Sequence, residues 1–198
     1  MNKKDYENSD KGLGKTLSYI LRHHPEAFNV HMDSHGWVNV DELLSQMRKR
    51  GRIIDHEILE RIVRENDKKR YSYNENKTKI RANQGHSIPV DLELLPVTPP
   101  DTLYHGTAEK FLESIFQKGI MKMSRNHVHL SVDTETAFDV GSRHGNPVVL
   151  EIDSKRMYDD GLDFYLSENK RWLCEYVPVK YISAVIKKKG DELCTEKL

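Results

Sequence analysis

The spacing of apolar residues changes along this chain from a helical to a strand-like pattern, and a proline-containing stretch separates the two. Pro89, Pro99 and Pro100 bracket that stretch, and proline can continue neither a helix nor a β-ladder. Before the stretch, apolar residues recur every three or four positions, whereas short alternating runs follow it. The sequence therefore predicts an α+β fold with two lobes, residues 1–88 and 102–198, joined by a linker at residues 89–101.

The first lobe has three helical segments followed by a hairpin. Apolar residues at helical spacing mark the first segment: Leu13, Leu17, Ile20 and Leu21. Pro25 ends it, because the residue before a proline avoids the helical region. A second helix is predicted from the capping residue Asn39 to Gly51, and a third starts at Asp55. Alternation on both sides of residues 74–77 predicts a β-hairpin. This order is typical of winged-helix domains, which commonly bind nucleic acids.

In the second lobe, strand-like runs alternate with helical ones. Strands are predicted at residues 102–105, 127–131, 147–153 and 171–177. Helices are predicted at residues 109–118 and 134–140, and Gly119 stands where a helix C-cap favours positive φ.

Charge and terminal composition exclude some classes of protein. The chain has 31 basic and 31 acidic residues, so we do not expect it to coat nucleic acid through its overall field. Residues 48–52 and 68–70 are local basic clusters, each more typical of a solvated loop or helix end. No apolar run approaches the ~20 residues of a membrane helix. The polar first ten residues lack the apolar region of a signal peptide and are expected to be a loose end.

Metal, redox and common nucleotide motifs are missing. Cys174 and Cys194 have no CxxC partner, which excludes a zinc ribbon and a redox pair, and we expect two reduced thiols in a cytoplasmic protein. His127 and His129 could chelate a metal, but no third ligand is visible at short range, so no metal is expected. There is neither a Gly-x-Ser-x-Gly elbow nor a Gly-x-Gly-x-x-Gly loop, so NAD⁺ would require another fold.

Three cationic residues of the first lobe are candidates for phosphate binding. Arg22 and His23 lie beside the apolar stripe of the first helix. A guanidinium matches phosphate oxygens with a fork of donors, and an imidazole can donate or move a proton near pH 7. The alternative is a pair of cations that complements the helix dipole. Arg81 alternates with Ile80 and Ala82 and faces away from them; the alternative is an exposed strand arginine.

The second lobe has two candidate segments. His105-Gly106-Thr107 ends a strand in a glycine, which could let a phosphate or sugar approach the backbone, although strands also end at glycine for steric reasons. A second run places polar side chains on one face of a predicted strand: Arg125, His127, His129 and Ser131. Such a row suggests the lining of a polar cleft.

Taken in order, these motifs resemble the RNA 2′-phosphotransferase family (KptA-type, NAD-dependent tRNA 2′-phosphotransferases). The resemblance rests on residues 17–23, 35–38, 79–87, 103–107, 125–131 and 141–150. It extends from about Lys15 to about Ile182, which is nearly the whole chain. It implies an N-terminal winged-helix-like lobe that receives RNA and a C-terminal lobe with the ADP-ribosyltransferase fold that holds NAD⁺.

The resemblance also implies an activity and a set of site residues. The activity is transfer of an internal 2′-phosphate from RNA, with tRNA as one candidate substrate, to NAD⁺ as co-substrate. The reaction passes through RNA-2′-phospho-ADP-ribose and gives 2′-OH RNA, ADP-ribose 1″,2″-cyclic phosphate and nicotinamide. The implied catalytic residues are Arg22, His23, Arg81 and Arg125. The implied NAD⁺ contacts are His105, Gly106, Thr107, His129 and Ser131. No membrane and no obligatory protein partner are expected.

Two other functions compete with this one. The first is an ADP-ribosyltransferase that acts on another nucleic-acid or protein acceptor. The second is a non-catalytic winged-helix protein that binds RNA or DNA. The second alternative explains the first lobe but leaves the polar run from Arg125 to Ser131 without a role.

Overall fold

The computed structural model describes residues 3–189 and 192–198. These residues form two compact units, divided between Glu93 and Leu94. The division falls within the predicted linker, and the roles assigned to the two lobes stay predictions. Helices are combined with several antiparallel sheets, which confirms the α+β class. No helix among the described residues is long and apolar enough to cross a bilayer.

The first unit consists of helices and a small sheet. Its elements are α1 (Lys3–Glu7), α2 (Asp10–Arg22), β1 (Val38–Asn39), α3 (Val40–Lys49), α4 (His56–Arg64), β2 (Tyr71–Tyr73) and β3 (Lys79–Ala82). Strand β3 is the middle strand of an antiparallel sheet, and Ile80 lies opposite both Val38 and Tyr73. The predicted helices and hairpin are therefore present.

Side-chain caps and an apolar core explain where these helices form. Asn39 Oδ1 accepts a hydrogen bond from Glu42 N at 3.0 Å, and Asp55 Oδ1 accepts one from Ile58 N at 2.8 Å. Such caps satisfy backbone donors at a helix start. Side chains from every helix that follows α1 meet in the core: Leu13, Leu17, Ile20, Leu21, Leu43, Leu44, Met47 and Leu59. The predicted helical faces are thus the buried ones.

The prediction of a loose N-terminus is wrong for the described residues that precede α2. Residues 3–7 form α1, and a Cβ on Gly12 would lie only 2.0 Å from the carbonyl oxygen of Tyr6. Asn8 Oδ1 accepts a hydrogen bond from Ile53 N at 2.7 Å. Contacts with residues distant in sequence hold this segment, and a local polar composition cannot reveal them. Met1 and Asn2 lie outside the described residues.

The second unit is richer in strands. Its elements are β4 (Thr102–Ala108), α5 (Leu112–Lys118), β5 (Ile120–Met121), β6 (Val128–Leu130), α6 (Thr134–Gly141), β7 (Pro147–Asp153), α7 (Ser154–Asp159), β8 (Phe164–Leu166), β9 (Trp172–Cys174), β10 (Tyr176–Val177), β11 (Ile182–Lys189) and β12 (Glu192–Lys197). One antiparallel sheet has the order β12-β11-β7-β4, a second has the order β6-β9-β8, and β10 pairs with β5. Their shared core includes Leu103, Leu150 and Phe164.

Several boundaries in this unit differ from the predictions. The strand predicted at residues 171–177 is divided into β9 and β10, and the helix predicted from residue 109 begins at Leu112 after a 3₁₀ turn. Strands β11 and β12 were not predicted. The described side chains of β12 are almost all exposed, so this edge strand lacks the apolar alternation by which a strand is recognised in sequence.

Candidate active site

The C-terminal end of α2 and the loop after β3 lie together in the first unit. Arg22 is the last residue of α2, and His23 is its C-cap. Ser87 N donates a hydrogen bond to the carbonyl oxygen of Arg22 at 3.0 Å, and Ser87 Oγ lies 2.8 Å from His23 Nδ1. A Cβ on Gly85 would lie 3.6 Å from Arg22 Nη1, so the guanidinium covers this glycine. The predicted Arg22–His23 pair is thus held by the segment that follows Arg81.

Arg81 is buried under an aromatic ring. Its guanidinium carbon lies 4.4 Å from the ring centroid of Trp37, and the residue is only 9% exposed. Nε and Nη1 are buried and make no hydrogen bond with the described residues, and the exposed carboxylate of Glu93 approaches Nη1 only to 4.0 Å. Burying charged donors without hydrogen bonds is costly. The arrangement therefore fits a guanidinium that binds an anionic ligand, and it differs from the exposed arginine that the alternative explanation expected.

Asn83 fixes the start of the loop between Arg81 and Ser87. Its side-chain Nδ2 donates to the carbonyl oxygen of Lys69 at 2.8 Å, and its backbone N donates to the carbonyl oxygen of Arg70 at 2.8 Å. No role was predicted from the sequence for Trp37, Asn83 or Ser87. All three lie within the segments that carry the family resemblance, which was the one sequence signal that could have indicated them.

In the second unit, His105 and Thr107 on β4 lie beside the strand that carries His129. Tyr104 and Ser131 exchange two backbone hydrogen bonds of 2.8 Å, and His105 Nδ1 lies 3.1 Å from the carbonyl oxygen of His129. The residues predicted to bind NAD⁺ therefore lie on two neighbouring segments of the chain, β4 and the segment that carries His129 and Ser131.

The surroundings of His105 favour the neutral form of its ring. Burial lowers the pKa of its imidazole, the carbonyl oxygen of His129 raises this pKa and the charge of His144 lowers it. A neutral ring that faces a carbonyl oxygen must carry its proton on Nδ1, because the carbonyl can only accept. Nε2 of His105 is then a hydrogen-bond acceptor.

Gly106 is explained by packing. A Cβ on Gly106 would lie 1.7 Å from the carbonyl oxygen of Ala137 in α6, and a Cβ on Gly141 would lie 2.5 Å from the carbonyl oxygen of Thr107. Both distances are far below van der Waals contact, so α6 and β4 touch through these two glycines. This supports the steric explanation for Gly106, while its role in NAD⁺ binding stays a prediction.

Arg125 does not lie on the strand where alternation placed it. β6 spans only Val128–Leu130, and Arg125 N donates to the carbonyl oxygen of Lys122 at 3.1 Å in the preceding turn. Placing Arg125 in one strand row with His129 and Ser131 is therefore wrong, because alternation does not continue through a turn. Desolvation and the like charge of Arg143 lower the pKa of Arg125, although a guanidinium remains charged at physiological pH.

Two further reactive side chains, His127 and Cys174, are described in the second unit. The ring of His127 lies edge-on to Tyr165 with centroids 5.8 Å apart, and burial lowers the pKa of this histidine. Cys174 is buried, which raises the pKa of its thiol to about 12. Residues 3–189 and 192–198 contain no group of three or more His, Cys, Asp or Glu side chains that could hold a metal ion.

The sequence matches known proteins over most of its length. Residues 8–176 match the family described as "RNA 2′-phosphotransferase, Tpt1 / KptA family". A Fusobacterium nucleatum protein named "Probable RNA 2′-phosphotransferase" is 59% identical over 176 residues, which cover 88% of this chain and 98% of that protein. A protein of the same name from Flavobacterium johnsoniae is 54% identical and covers 89% and 97%, respectively. One from Acaryochloris marina is 51% identical and covers 88% and 97%. This chain therefore belongs to the RNA 2′-phosphotransferase family.

Proposed function

We propose that this protein removes an internal 2′-phosphate from RNA by transferring it to NAD⁺. Family membership supplies the reaction class. The observation that carries the proposal is Arg81, whose buried Nε and Nη1 make no hydrogen bond with the described residues. A phosphate oxygen would supply the missing acceptor, and charge-assisted bonds of this kind are roughly twice as strong as neutral ones.

The first step joins the RNA phosphate to the co-substrate. A 2′-phosphate oxygen attacks C1 of the nicotinamide-bearing ribose, and nicotinamide leaves with the electrons of the broken C–N bond. The phosphate is already ionised at neutral pH, so this nucleophile requires no carboxylate base. Arg81 binds and orients the phosphate in this proposal. The product of the step is RNA-2′-phospho-ADP-ribose.

The second step releases the RNA. The neighbouring ribose hydroxyl attacks phosphorus and loses its proton, and the RNA 2′-oxygen leaves and gains one. The products are 2′-OH RNA and ADP-ribose 1″,2″-cyclic phosphate. Arg22, Arg81 and Arg125 stabilise the negative charge of the transition state, as cationic clamps do in other phosphoryl transfers. His23 donates to the phosphate or assists proton transfer, which typically contributes ~10²–10⁴-fold.

The remaining predicted residues belong to the NAD⁺ side of the proposal: His105, Gly106, Thr107, His129 and Ser131. The pairing of Tyr104 with Ser131 and the bond between His105 Nδ1 and the His129 carbonyl oxygen support a shared binding surface on β4 and β6. The proposal includes a winged-helix-like RNA lobe, an ADP-ribosyltransferase-like NAD⁺ lobe and a cytoplasmic location, with tRNA as one candidate substrate. Three guanidinium groups supply the positive charge, so no metal ion is included.

A synthetic RNA with one internal 2′-phosphate tests this function. With NAD⁺, we expect release of nicotinamide and conversion to 2′-OH RNA, and without NAD⁺ we expect neither. Arg22→Ala and Arg125→Ala should accumulate RNA joined through its 2′-phosphate to ADP-ribose. Arg64→Ala is the matched control, because Arg64 is exposed on α4 and pairs only with its neighbour Glu65 among the contacts described here.

Three results would contradict the proposal. Equal nicotinamide release with RNA that lacks the 2′-phosphate would indicate another acceptor. No nicotinamide release with any RNA would indicate a non-catalytic binding protein. Full-speed product formation by both arginine variants would remove Arg22 and Arg125 from the mechanism.

A further inference from the structure

We propose that Ser87 is a positioning residue that holds the imidazole of His23 in its reacting orientation and supports its protonated form. This inference rests on the proposed function, because it gives His23 a role at the RNA phosphate. No role was predicted for Ser87 from the sequence.

Ser87 contacts the end of α2 at two points. Its backbone N–H donates to the carbonyl oxygen of Arg22 at 3.0 Å, and its Oγ lies 2.8 Å from His23 Nδ1. Because one residue makes both contacts, the position of the hydroxyl is set by the backbone of its own loop. That loop includes Gly85, whose φ of 86° is readily adopted only by glycine. The backbone geometry of this loop thus positions the Ser87 hydroxyl beside His23.

His23 requires such a support because it lies outside the regular helix. It is the C-cap of α2, with φ −130° and ψ −48°, so the helix does not dictate the direction of its side chain as it does for residues within a turn. The bond to Ser87 limits rotation of the ring. Since Ser87 holds Nδ1, contact between this imidazole and a substrate would use Nε2.

In this proposal, the same bond favours the charged ring. An imidazolium donates from both nitrogens, and the hydroxyl oxygen of Ser87 can accept the Nδ1 proton. A hydrogen bond to the charged form raises the pKa of a histidine, and carbonyl groups at a helix C-terminus act in the same direction. The positive charge of the neighbouring Arg22 disfavours the charged ring. His24 is the other neighbour on this side, and its Nδ1 lies 2.9 Å from Oε1 of Glu26. The loop after β3 contributes two polar groups to this region, Ser87 and His86. His86 is buried beside Gly36.

The test compares Ser87→Ala, Ser87→Thr and wild type. With 2′-phosphorylated RNA and NAD⁺, Ser87→Ala should lower kcat by about tenfold, the low end for loss of a hydrogen bond to a charged group. The alkaline limb of its kcat-against-pH profile should move to lower pH, and Ser87→Thr should restore both. Ser45→Ala on α3 is the matched control and should retain the wild-type profile.

A second measurement separates this inference from the proposed function. Proton NMR titration of the imidazole of His23, assigned with a His23→Gln variant and recorded without substrate, should show a lower pKa in Ser87→Ala than in wild type. An unchanged titration would overturn the inference. It would also be overturned if Ser87→Ala lowered kcat without shifting the alkaline limb and Ser87→Thr did not restore kcat. If wild type is inactive while the NMR shift appears, the coupling stands and the proposed function fails.

Discussion

Adding one methyl group at Gly106 tests how closely α6 packs on β4. The Cβ of Gly106→Ala would lie 1.7 Å from the carbonyl oxygen of Ala137, 2.6 Å from its carbonyl carbon and 3.1 Å from its Cα. All three atoms belong to the backbone, so no side-chain rotation can relieve the overlap. The helix would have to move away from the strand by more than 1 Å, on the order of the gap between the overlap distance and normal contact at ~3.5 Å.

The size of the effect follows from that movement. Ala137 and Phe138 on α6 are buried, and Gly141 touches Thr107 at the other end of the helix. Overpacking a well-packed core typically costs 1–3 kcal/mol and occasionally more, and a backbone overlap belongs at the upper end, about 3 kcal/mol. For a chain of this size, a loss of about 3 kcal/mol lowers Tm by roughly 6–12 °C.

Thermal unfolding followed by circular dichroism measures this difference. Gly14→Ala is the matched control, because it adds the same methyl group in α2, where no atom lies within 4 Å. That change should be neutral or stabilise by up to about 1 kcal/mol, since alanine favours helices over glycine. A Gly106→Ala variant that melts within about 2 °C of wild type, less than 1 kcal/mol in a chain of this size, would refute the packing argument.

Three further predictions follow from the contacts of single residues. Asn39→Ala removes the N-cap of α3 and should lower the free energy of unfolding by about 1 kcal/mol in denaturant titrations; no change would show that the cap is dispensable. Cys194 should react with a thiol reagent at about pH 8 while Cys174, whose pKa burial raises to about 12, should react only on unfolding; equal rates would contradict this. Burial lowers the pKa of His105, so below the ordinary pKa of about 6.5 the unfolded chain binds a proton that the folded chain does not. Its contribution to stability is therefore complete above about pH 6.5 and decreases on acidification, and His105→Asn should show a smaller fall in Tm than wild type between about pH 7 and 5.5, with parallel curves counting against the argument.

The elements predicted correctly are those that local sequence specifies. Apolar residues at helical spacing define α2, and the amide of Asn39 marks the start of α3. Both signals depend on residues within a few positions of one another. The edge strand β12 lacked such a signal, because its exposed polar and charged residues do not alternate with apolar ones.

Features that depend on distant residues could not be predicted. Arg81 is buried because the ring of Trp37 covers it. Strand alternation alone predicts that this face of β3 is exposed. The helix at residues 3–7 packs closely on α2 at Gly12. The turn that follows Lys122 places Arg125 outside the strand. The family resemblance predicted which residues belong to the site. Their neighbours and their burial are visible only in the folded structure.

The stacking of Trp37 on Arg81 gives the protein an internal optical probe. The chain has two tryptophans, Trp37 in the first unit and Trp172 on β9 of the second. In a Trp172→Phe background, indole fluorescence arises only from the ring that lies 4.4 Å from the guanidinium of Arg81. An anion that arrives at Arg81 changes the electric field at this ring, so the emission of Trp37 can report anion binding at Arg81 separately from turnover, without a label.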